Sequence, residues 1–256
     1  MREFNSWKSF ADFAKTVRYK NRYLYDQEIQ SFFKTLIETR QTRITNFKKG
    51  KIFWRAQLGC QLIPKYENGK HTSDLQLAFP KDRMKPIPDK AKEGRSNPSG
   101  IPFLYVATDR NTAMAEVRPW IGSQITLAKL KTNRKISLIN LAKDLRTRLY
   151  ILGEPNREIK EKKIWSTINK AFSKPITVED QTTDYVPTQI ISELFRNHGY
   201  DGIIYNSNLG KGLNTVLFNL DSADVIDCQL FKLDRISCNF SKLSENNRTT
   251  IILRNY

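Results

Sequence analysis

The side chains best suited to chemistry in this sequence are two arginines, a glutamate and a serine that stand beside short apolar runs. They are Arg55, Arg95, Glu116 and Ser207. A guanidinium holds phosphate through paired hydrogen bonds, and a carboxylate stabilises a positive charge that develops during a reaction. Each also has a structural interpretation. Arg55 either extends to solvent at a strand edge or reaches a buried anion, and Glu116 either faces solvent or lines a cleft. Arg95 and Ser207 are also typical of loops. Taken singly, none of the four identifies a reaction.

Several familiar catalytic signatures are missing from the sequence. Lys211 follows a glycine, but the spacing and the hydroxyl of a phosphate-binding P-loop are absent, and there is no GxGxxG, GxSxG or HExxH pattern. His71 and His198 lie far apart without accompanying ligands, so both are expected at the surface or at a helix cap. The cysteines, which are Cys60, Cys228 and Cys238, form no CxxC pair. We therefore expect no bound metal and no prosthetic group.

Length and composition describe a folded, basic chain. Its 256 residues include 43 Lys and Arg against 26 Asp and Glu, a formal net charge of +17, and 39% are hydrophobic. This length suffices for one large domain, or one domain with a modest extension. The charge favours polyanionic or phosphate-bearing partners. No apolar run of membrane-spanning length is present, and an acidic Glu3 disfavours a signal peptide, so a cytoplasmic location is predicted.

The spacing of apolar residues predicts helices first and short strands later. Two amphipathic helices are predicted in residues 1–50, with Asp26 capping the second and a basic connector between Thr39 and Lys51. Strands are predicted at 51–56, 102–107, 136–140, 201–205 and 215–218, a hairpin turn at Asn68-Gly69, and a proline-rich loop at 79–102. Further helices are predicted from Thr108 or Asp109 to Arg118, from 156 to 172, and from Pro187 to a stop at Gly199.

Six short segments of the sequence, taken in chain order, form a recognisable pattern. The segments are FWRA at 53–56, GRSNPSG at 94–100, FLYVA at 103–107, AMAE at 113–116, GYDGIIYNS at 199–207 and GLNTVLF at 212–218. Together they resemble the RES domain, a family named for its Arg, Glu and Ser. The resemblance covers roughly residues 51–220, and the combination is far more specific than any single segment.

The resemblance implies a mixed α+β fold, with an ADP-ribosyltransferase-like core of short strands and flanking helices preceded by an N-terminal helical hairpin. Only the RES-like domain at 51–220 is covered by the resemblance. The helical extension at 1–50 and a basic C-terminal extension at 221–256, which we expect to pack on the core, lie outside it. The resemblance also implies a growth-inhibiting toxin or defence effector that cleaves the nicotinamide–ribose bond of NAD. The cleavage would be a phosphorolysis, with inorganic phosphate as co-substrate, or a hydrolysis. An antitoxin of the Xre helix-turn-helix type would be its protein partner.

Residue roles follow from the same resemblance. Arg55 and Arg95 would hold phosphate groups, Tyr105 would face the nicotinamide end, and Glu116 would engage the ribose. Ser207 would help to position the dinucleotide, and Asn214 would add to its binding.

Two other functions stay open at the level of sequence. One keeps the fold but transfers ADP-ribose to a macromolecule. The other is a basic protein that binds or acts on nucleic acid, favoured by the net charge and by aromatic residues among lysines around Trp7 and Trp165. The basic residues are scattered and form no known RNA-binding signature, so nucleic acid is the less favoured partner.

Overall fold

The computed structural model describes residues 3–143, 153, 155–174 and 182–237. Within these residues the helices are α1 (Ser9–Tyr19), α2 (Gln27–Thr39), α3 (Arg110–Glu116), α4 (Arg157–Ser173) and α5 (Val186–Asn197). The strands are β1 (Ile44–Phe47), β2 (Ile52–Leu58), β3 (Gln61–Glu67), β4 (Lys70–Leu77), β5 (Leu104–Ala107), β6 (Gln124–Thr132), β7 (Ile136–Asn140), β8 (Gly202–Asn206), β9 (Leu213–Leu217) and β10 (Ala223–Lys232). None of the described helices combines the length and the apolar character that crossing a membrane requires.

Eight of the described strands form one sheet, in the order β1-β7-β8-β9-β5-β2-β6-β10. Only the pair β7 and β8 is parallel, and the other neighbours are antiparallel. Strands β3 and β4 pair separately as a hairpin. The junction between β2 and β5 is the weakest in the sheet, because these strands share a single bridge, between Trp54 and Ala107. The sheet opens at this point, which leaves room for side chains from both strands.

Helices cover one face of the sheet. The core on this face joins α1, α2, α4 and α5 to β5, β7, β8 and β9, and it includes Phe13, Leu36, Trp165, Ile191, Ile203 and Val216. The short helix α3 packs nearby through Ala113 against Ala107 and Leu127. A second core on the opposite face includes Phe53, Leu104 and Leu130 and is covered by Phe79 and Met84. The part of the sheet between α3 and the other helices is left uncovered, so a cleft can form there.

The fold class expected from the sequence is confirmed. The protein is mixed α+β, with a central, mostly antiparallel sheet, flanking helices and an N-terminal helical hairpin. Local signals explain several boundaries. The carboxylate of Asp26 accepts a hydrogen bond from the backbone N–H of Ile29 and so caps α2. Asn68 and Gly69 take left-handed backbone angles, which turn β3 into β4.

Other boundaries differ from the sequence prediction. The predicted basic connector contains β1, which pairs with β7 at the edge of the main sheet. Strands β6 and β10 were not predicted, and β10 forms the other edge by pairing with β6. Helix α3 ends at Glu116 and not at Arg118, because Arg118 has a φ of 48°, which a right-handed helix cannot contain.

The expected division at residues 50 and 220 stays a prediction. Strands on both sides of those positions belong to the one sheet, since β1 precedes residue 51 and β10 follows residue 220. The part of the predicted C-terminal extension after residue 237 lies outside the described residues.

Candidate active site

A cleft crosses the helical face of the sheet between α3 and the end of α4. Its inner lobe, of about 290 Å³, is lined mainly by apolar side chains of β2, β5 and α3. Its outer lobe, of about 220 Å³, is lined by the segment before β5, the end of α4 and the loop between β8 and β9. The lobes share four lining residues, which are Tyr105, Glu116, Tyr205 and Asn214. Glu116 therefore lies at the boundary between the lobes.

The Glu116 carboxylate is held by two donors from distant parts of the chain. Ser207 Oγ donates to Glu116 Oε1 at 2.6 Å, and Asn214 Nδ2 donates to the same oxygen at 2.7 Å. Within the described residues no donor bonds to Oε2, and Glu116 is exposed to solvent at the mouth of the cleft. One oxygen is thus fixed by the protein, and the other can accept a hydrogen bond from a ligand hydroxyl.

Hydrogen bonds hold the loop between β8 and β9 in a conformation that places Ser207 beside Glu116. Ser207 Oγ also accepts hydrogen bonds from the backbone N–H groups of Leu209 and Gly210, each at 3.0 Å. Gly212 N–H donates to Thr112 Oγ1 at 2.9 Å, which joins the loop to the first turn of α3. A Cβ on Gly212 would lie 1.6 Å from Asp109 Oδ2, so only glycine permits this approach.

Arg55 lies where β2 and β5 separate. Its Nη1 donates to the backbone oxygen of Tyr105 at 2.8 Å, and its Nε is buried without a hydrogen-bond partner among the described residues. Desolvation lowers the pKa of the Arg55 guanidinium from its ordinary value, but an arginine stays protonated at neutral pH. The side chain lines the inner lobe, and a half-buried cation with a buried, unpaired donor is suited to a negatively charged or carbonyl-bearing ligand.

Tyr105 anchors the segment before β5, which lines the outer lobe. Its hydroxyl donates to Asn97 Oδ1 at 2.7 Å and accepts from the Ser96 backbone N–H at 3.0 Å. Burial raises the pKa of Tyr105 to about 12, so the phenol remains protonated and keeps donating through the physiological range. A Cβ on Gly94 would lie 2.7 Å from this hydroxyl, which explains a glycine at that position. On the other side, Gln189 Nε2 donates to the backbone oxygens of Gly94 and Asn97, both at 3.0 Å.

We predict that Tyr105→Phe loosens this segment without unfolding the protein. The variant keeps the ring but removes both hydroxyl hydrogen bonds, so the Ser96 amide should exchange its hydrogen about fivefold faster or more, the effect of losing about 1 kcal/mol of local stability. Hydrogen exchange measured by NMR would test this. Tyr66→Phe on the exposed β3–β4 hairpin is the control, and equal Ser96 protection in the two variants would contradict the anchoring role.

Arg95 is engaged by the end of α4. Its Nη1 donates to the backbone oxygen of Ala171 at 2.8 Å, its Nη2 bonds to the backbone oxygen of Lys174, and its guanidinium lies 5.2 Å from the centre of the Tyr185 ring. These carbonyls belong to the last turn of α4 and to its C-cap residue, where carbonyls lack partners within the helix. Arg95 lines the outer lobe, but here it caps α4, and its expected phosphate contact stays a prediction.

The structure brings all six residues singled out in the sequence to one cleft. Arg55, Arg95, Tyr105, Glu116 and Asn214 line it, and Ser207 bonds to Glu116 at its boundary. Their roles in binding and catalysis stay predictions.

Among the lining residues that sequence reasoning did not single out are four with aromatic or cationic side chains, which are Trp54, Arg118, Lys174 and Tyr205. Two of them carried a usable signal, since Trp54 directly precedes Arg55 and Arg118 follows Glu116 by two positions. Burial raises the pKa of the Tyr205 hydroxyl, so it remains neutral.

No metal site accompanies the cleft in the part of the chain that the structure describes. There, no group of three or more His, Cys, Asp or Glu side chains is placed to hold a metal ion. His71 contacts Asp74 on the exposed hairpin, and His198 contacts the backbone oxygen of Leu194 at the end of α5.

Fold and cleft together define a mixed α+β protein with an arginine, a glutamate and a serine gathered at one opening of a sheet. The model of the RES domain family matches residues 73–235, well over half of the chain. The chain belongs to the RES domain family. This confirms the resemblance found in the sequence.

Comparison with solved structures gives a partial likeness. The crystal structure of the M. tuberculosis MbcT–MbcA toxin–antitoxin complex matches with 12% identity over 78% of this chain and 92% of the matched chain, with a TM-score of 0.38. No curated protein matches the chain.

Proposed function

We propose that this protein is an enzyme that breaks the bond between nicotinamide and ribose in NAD, and that it acts as a growth-inhibiting toxin. The observation that carries the proposal is the Glu116 carboxylate, fixed on one oxygen by Ser207 and Asn214 and open on the other at the centre of the cleft. Membership of the RES domain family supports the same conclusion.

The chemistry of this bond suits a carboxylate without a histidine. The nicotinamide of NAD is cationic while it is attached to ribose, so it leaves as a neutral molecule and needs no proton from an acid. As the bond breaks, positive charge grows on the ribose carbon, and the transition state resembles an oxocarbenium ion. Glu116, through Oε2 and a ribose hydroxyl, would stabilise that charge as it develops.

In this proposal the residues around Glu116 orient the carboxylate and the substrate, and they transfer no proton. Ser207 and Asn214 orient the carboxylate, and the link between Thr112 and Gly212 holds α3 against the loop that carries Ser207. Such fixed geometry matters because a carboxylate that must reorganise during the reaction stabilises the transition state less well. Arg55 places a cation beside the inner lobe, where it would hold an anionic or carbonyl group of the substrate.

A protein partner and a cellular role are part of the proposal. The family resemblance implies an antitoxin that holds the toxin inactive, and an open cleft offers a surface that such a partner can cover. A location in the cytoplasm, where NAD is abundant, would fit this role.

Incubation of the purified protein with NAD tests the proposal. We expect nicotinamide release, measured by chromatography, together with loss of NAD. A rate that depends on added inorganic phosphate, with formation of an ADP-ribose phosphate ester, identifies a phosphorylase, and free ADP-ribose formed without phosphate identifies a glycohydrolase. ADP-ribose attached to a protein or nucleic acid identifies a transferase. Absence of nicotinamide release under all of these conditions would contradict the proposed function.

A further inference from the structure

A second groove lies beside α3, on a different side of this helix from the cleft. Ala113 and Glu116 of α3 line the cleft. Arg110, Asn111 and Met114 lie on another side of the helix, as its period of 3.6 residues requires, and they line the groove. The groove has a volume of about 520 Å³, which is in the range of small-molecule sites. Helix α3 therefore separates the cleft from a second space of ligand size.

Two half-buried aromatic side chains line the groove, Trp54 from β2 and Phe231 from β10. They pack in one cluster with Met114. Aromatic rings stack on nucleobases of any sequence, because every base has a flat π-system. The two rings come from distant parts of the chain, so they form no local signature of nucleic-acid binding that the sequence could show.

Arg110 places a cation beside both rings. Its guanidinium lies 5.3 Å from the Trp54 ring centre and 5.2 Å from the Phe231 ring centre. The side chain is exposed, and its hydrogen bond from Nη2 to Gln229 Oε1, at 3.3 Å, uses one of its five N–H donors. Lys129 adds a second cation, with Nζ 5.9 Å from the Trp54 ring centre. Rings beside cationic donors suit a ligand that joins a flat base to a phosphate.

Two acids near Arg110 are hydrogen-bonded within the protein. Asp109 lines the groove, and its oxygens accept hydrogen bonds from the Thr112 backbone N–H at 2.9 Å and from Thr112 Oγ1 at 2.8 Å. Asp227 Oδ2 accepts from Gln229 Nε2 at 2.8 Å. Among the described residues neither carboxylate forms an ion pair with Arg110. The guanidinium can therefore bind an anionic ligand, and the net charge of +17 attracts polyanions over a longer range.

We propose that this groove binds one nucleotide of a single-stranded nucleic acid, with the base against Trp54 and Phe231 and the phosphate at Arg110. Single strands suit the groove because their unpaired bases can enter it, whereas the bases of a duplex are paired and stacked. Other phosphates of the strand would be attracted by the net positive charge of the protein. The inference goes beyond the proposed function, and its test requires no cleavage of NAD.

Fluorescence anisotropy of a labelled, short oligoadenylate RNA tests the inference. We expect Arg110→Gln to raise Kd about tenfold or more, the scale of one lost charge-assisted contact, and Phe231→Leu to raise it about as much through lost stacking. In Arg110→Gln the slope of log affinity against log salt should become shallower by about 0.7, as for one lost phosphate contact, whereas Phe231→Leu should keep the slope. Arg110→Lys keeps the charge and should recover part of the affinity.

Arg83→Gln is the matched control. Arg83 is exposed, and its guanidinium lies 3.7 Å from the centre of the Phe79 ring on the opposite face of the sheet, so it pairs a cation with an aromatic ring outside the groove. This substitution should leave Kd within about twofold of that of the original protein. Melting temperatures should stay within a few degrees in all of these variants, because none of the substituted side chains is fully buried.

NMR of the methionine methyl groups locates the bound strand. Met114 lines the groove and neither lobe of the cleft, and Met84 is fully buried on the opposite face of the sheet. We expect the RNA to shift the Met114 signal, because the bound base carries a ring current, and to leave the Met84 signal in place.

The inference is overturned if the original protein does not bind the RNA, if binding leaves the Met114 signal unchanged, or if Arg110→Gln binds as tightly as the original protein. AMP that binds as tightly as the RNA would identify a free nucleotide as the occupant and would overturn it too. None of these outcomes concerns nicotinamide release from NAD, so the proposed function is tested separately.

Discussion

Replacing Glu116 with glutamine is expected to reduce NAD turnover by about a hundredfold or more, the scale of one lost transition-state electrostatic contact. Glutamine has almost the same shape, and its oxygen can still accept hydrogen bonds from Ser207 and Asn214. It carries no negative charge, so it cannot stabilise a cation on the ribose. The loss should appear in kcat, because the charge develops only as the bond breaks. The measurement is nicotinamide release over a range of NAD concentrations.

Glu158→Gln serves as the matched control for this prediction. Glu158 lies on the exposed side of α4 and pairs with Lys162 at 2.6 Å, so its neutralisation should leave turnover within about twofold. Both variants should keep the melting temperature of the original protein within a few degrees. A Glu116→Gln protein that retains full turnover would mean that another group stabilises the transition state, and the assignment of Glu116 would be wrong.

The largest expected effect on stability is that of Trp165→Ala. Trp165 belongs to α4 and is fully buried in the helical core. Its ring stacks on Phe195 with centroids 6.2 Å apart, and the Arg43 guanidinium lies 5.4 Å from the ring centre. Removing a buried aromatic ring leaves a cavity and costs about 3–5 kcal/mol. For a chain of this size the melting temperature should fall by roughly 6–20 °C, as measured by calorimetry or circular dichroism.

A second tryptophan provides the control for the stability prediction. The Trp120 residue is 68% exposed, so Trp120→Ala should change the free energy of unfolding by less than about 1 kcal/mol. If both variants lose the same stability, or if neither does, the helical core is not packed around Trp165 as described. Because Trp165 also lies among the helices that border the cleft, we expect its loss to reduce NAD turnover mainly through unfolding.

Local signals allowed the sequence to predict many elements of this fold. A carboxylate before an amphipathic run marked the start of α2 at Asp26, and Asn68-Gly69 marked the hairpin turn, since both depend on neighbouring backbone atoms. Strand β6 was missed, although Lys129-Leu130-Lys131 alternates as a strand does, and its place in the sheet is set by pairing with β2 and β10. Strand β10 was missed as well, and it owes its place at the sheet edge to its pairing with β6.

The candidate site could be predicted as a set of residues but not as an arrangement. Glu116 and Ser207 were singled out by type and by their place beside apolar runs, and the RES domain resemblance joined them. Their hydrogen bond links positions 91 residues apart, and the bond between Glu116 and Asn214 spans 98 residues. Nothing in either local segment encodes those contacts. The capping of α4 by Arg95 and the left-handed Arg118 were equally invisible in the sequence.

By itself, the sequence determined the fold class, the start of the N-terminal hairpin's second helix and the residues able to do chemistry, because periodicity, caps and turns are properties of neighbouring residues. Only the tertiary structure decided that β2 and β5 separate after a single bridge and that Arg55 and Glu116 face the resulting cleft. Strand order and the approach of α3 to the β8–β9 loop depend on the packing of the whole chain. Gly212 permits that approach, but a glycine in the sequence does not indicate which residue will lie against it.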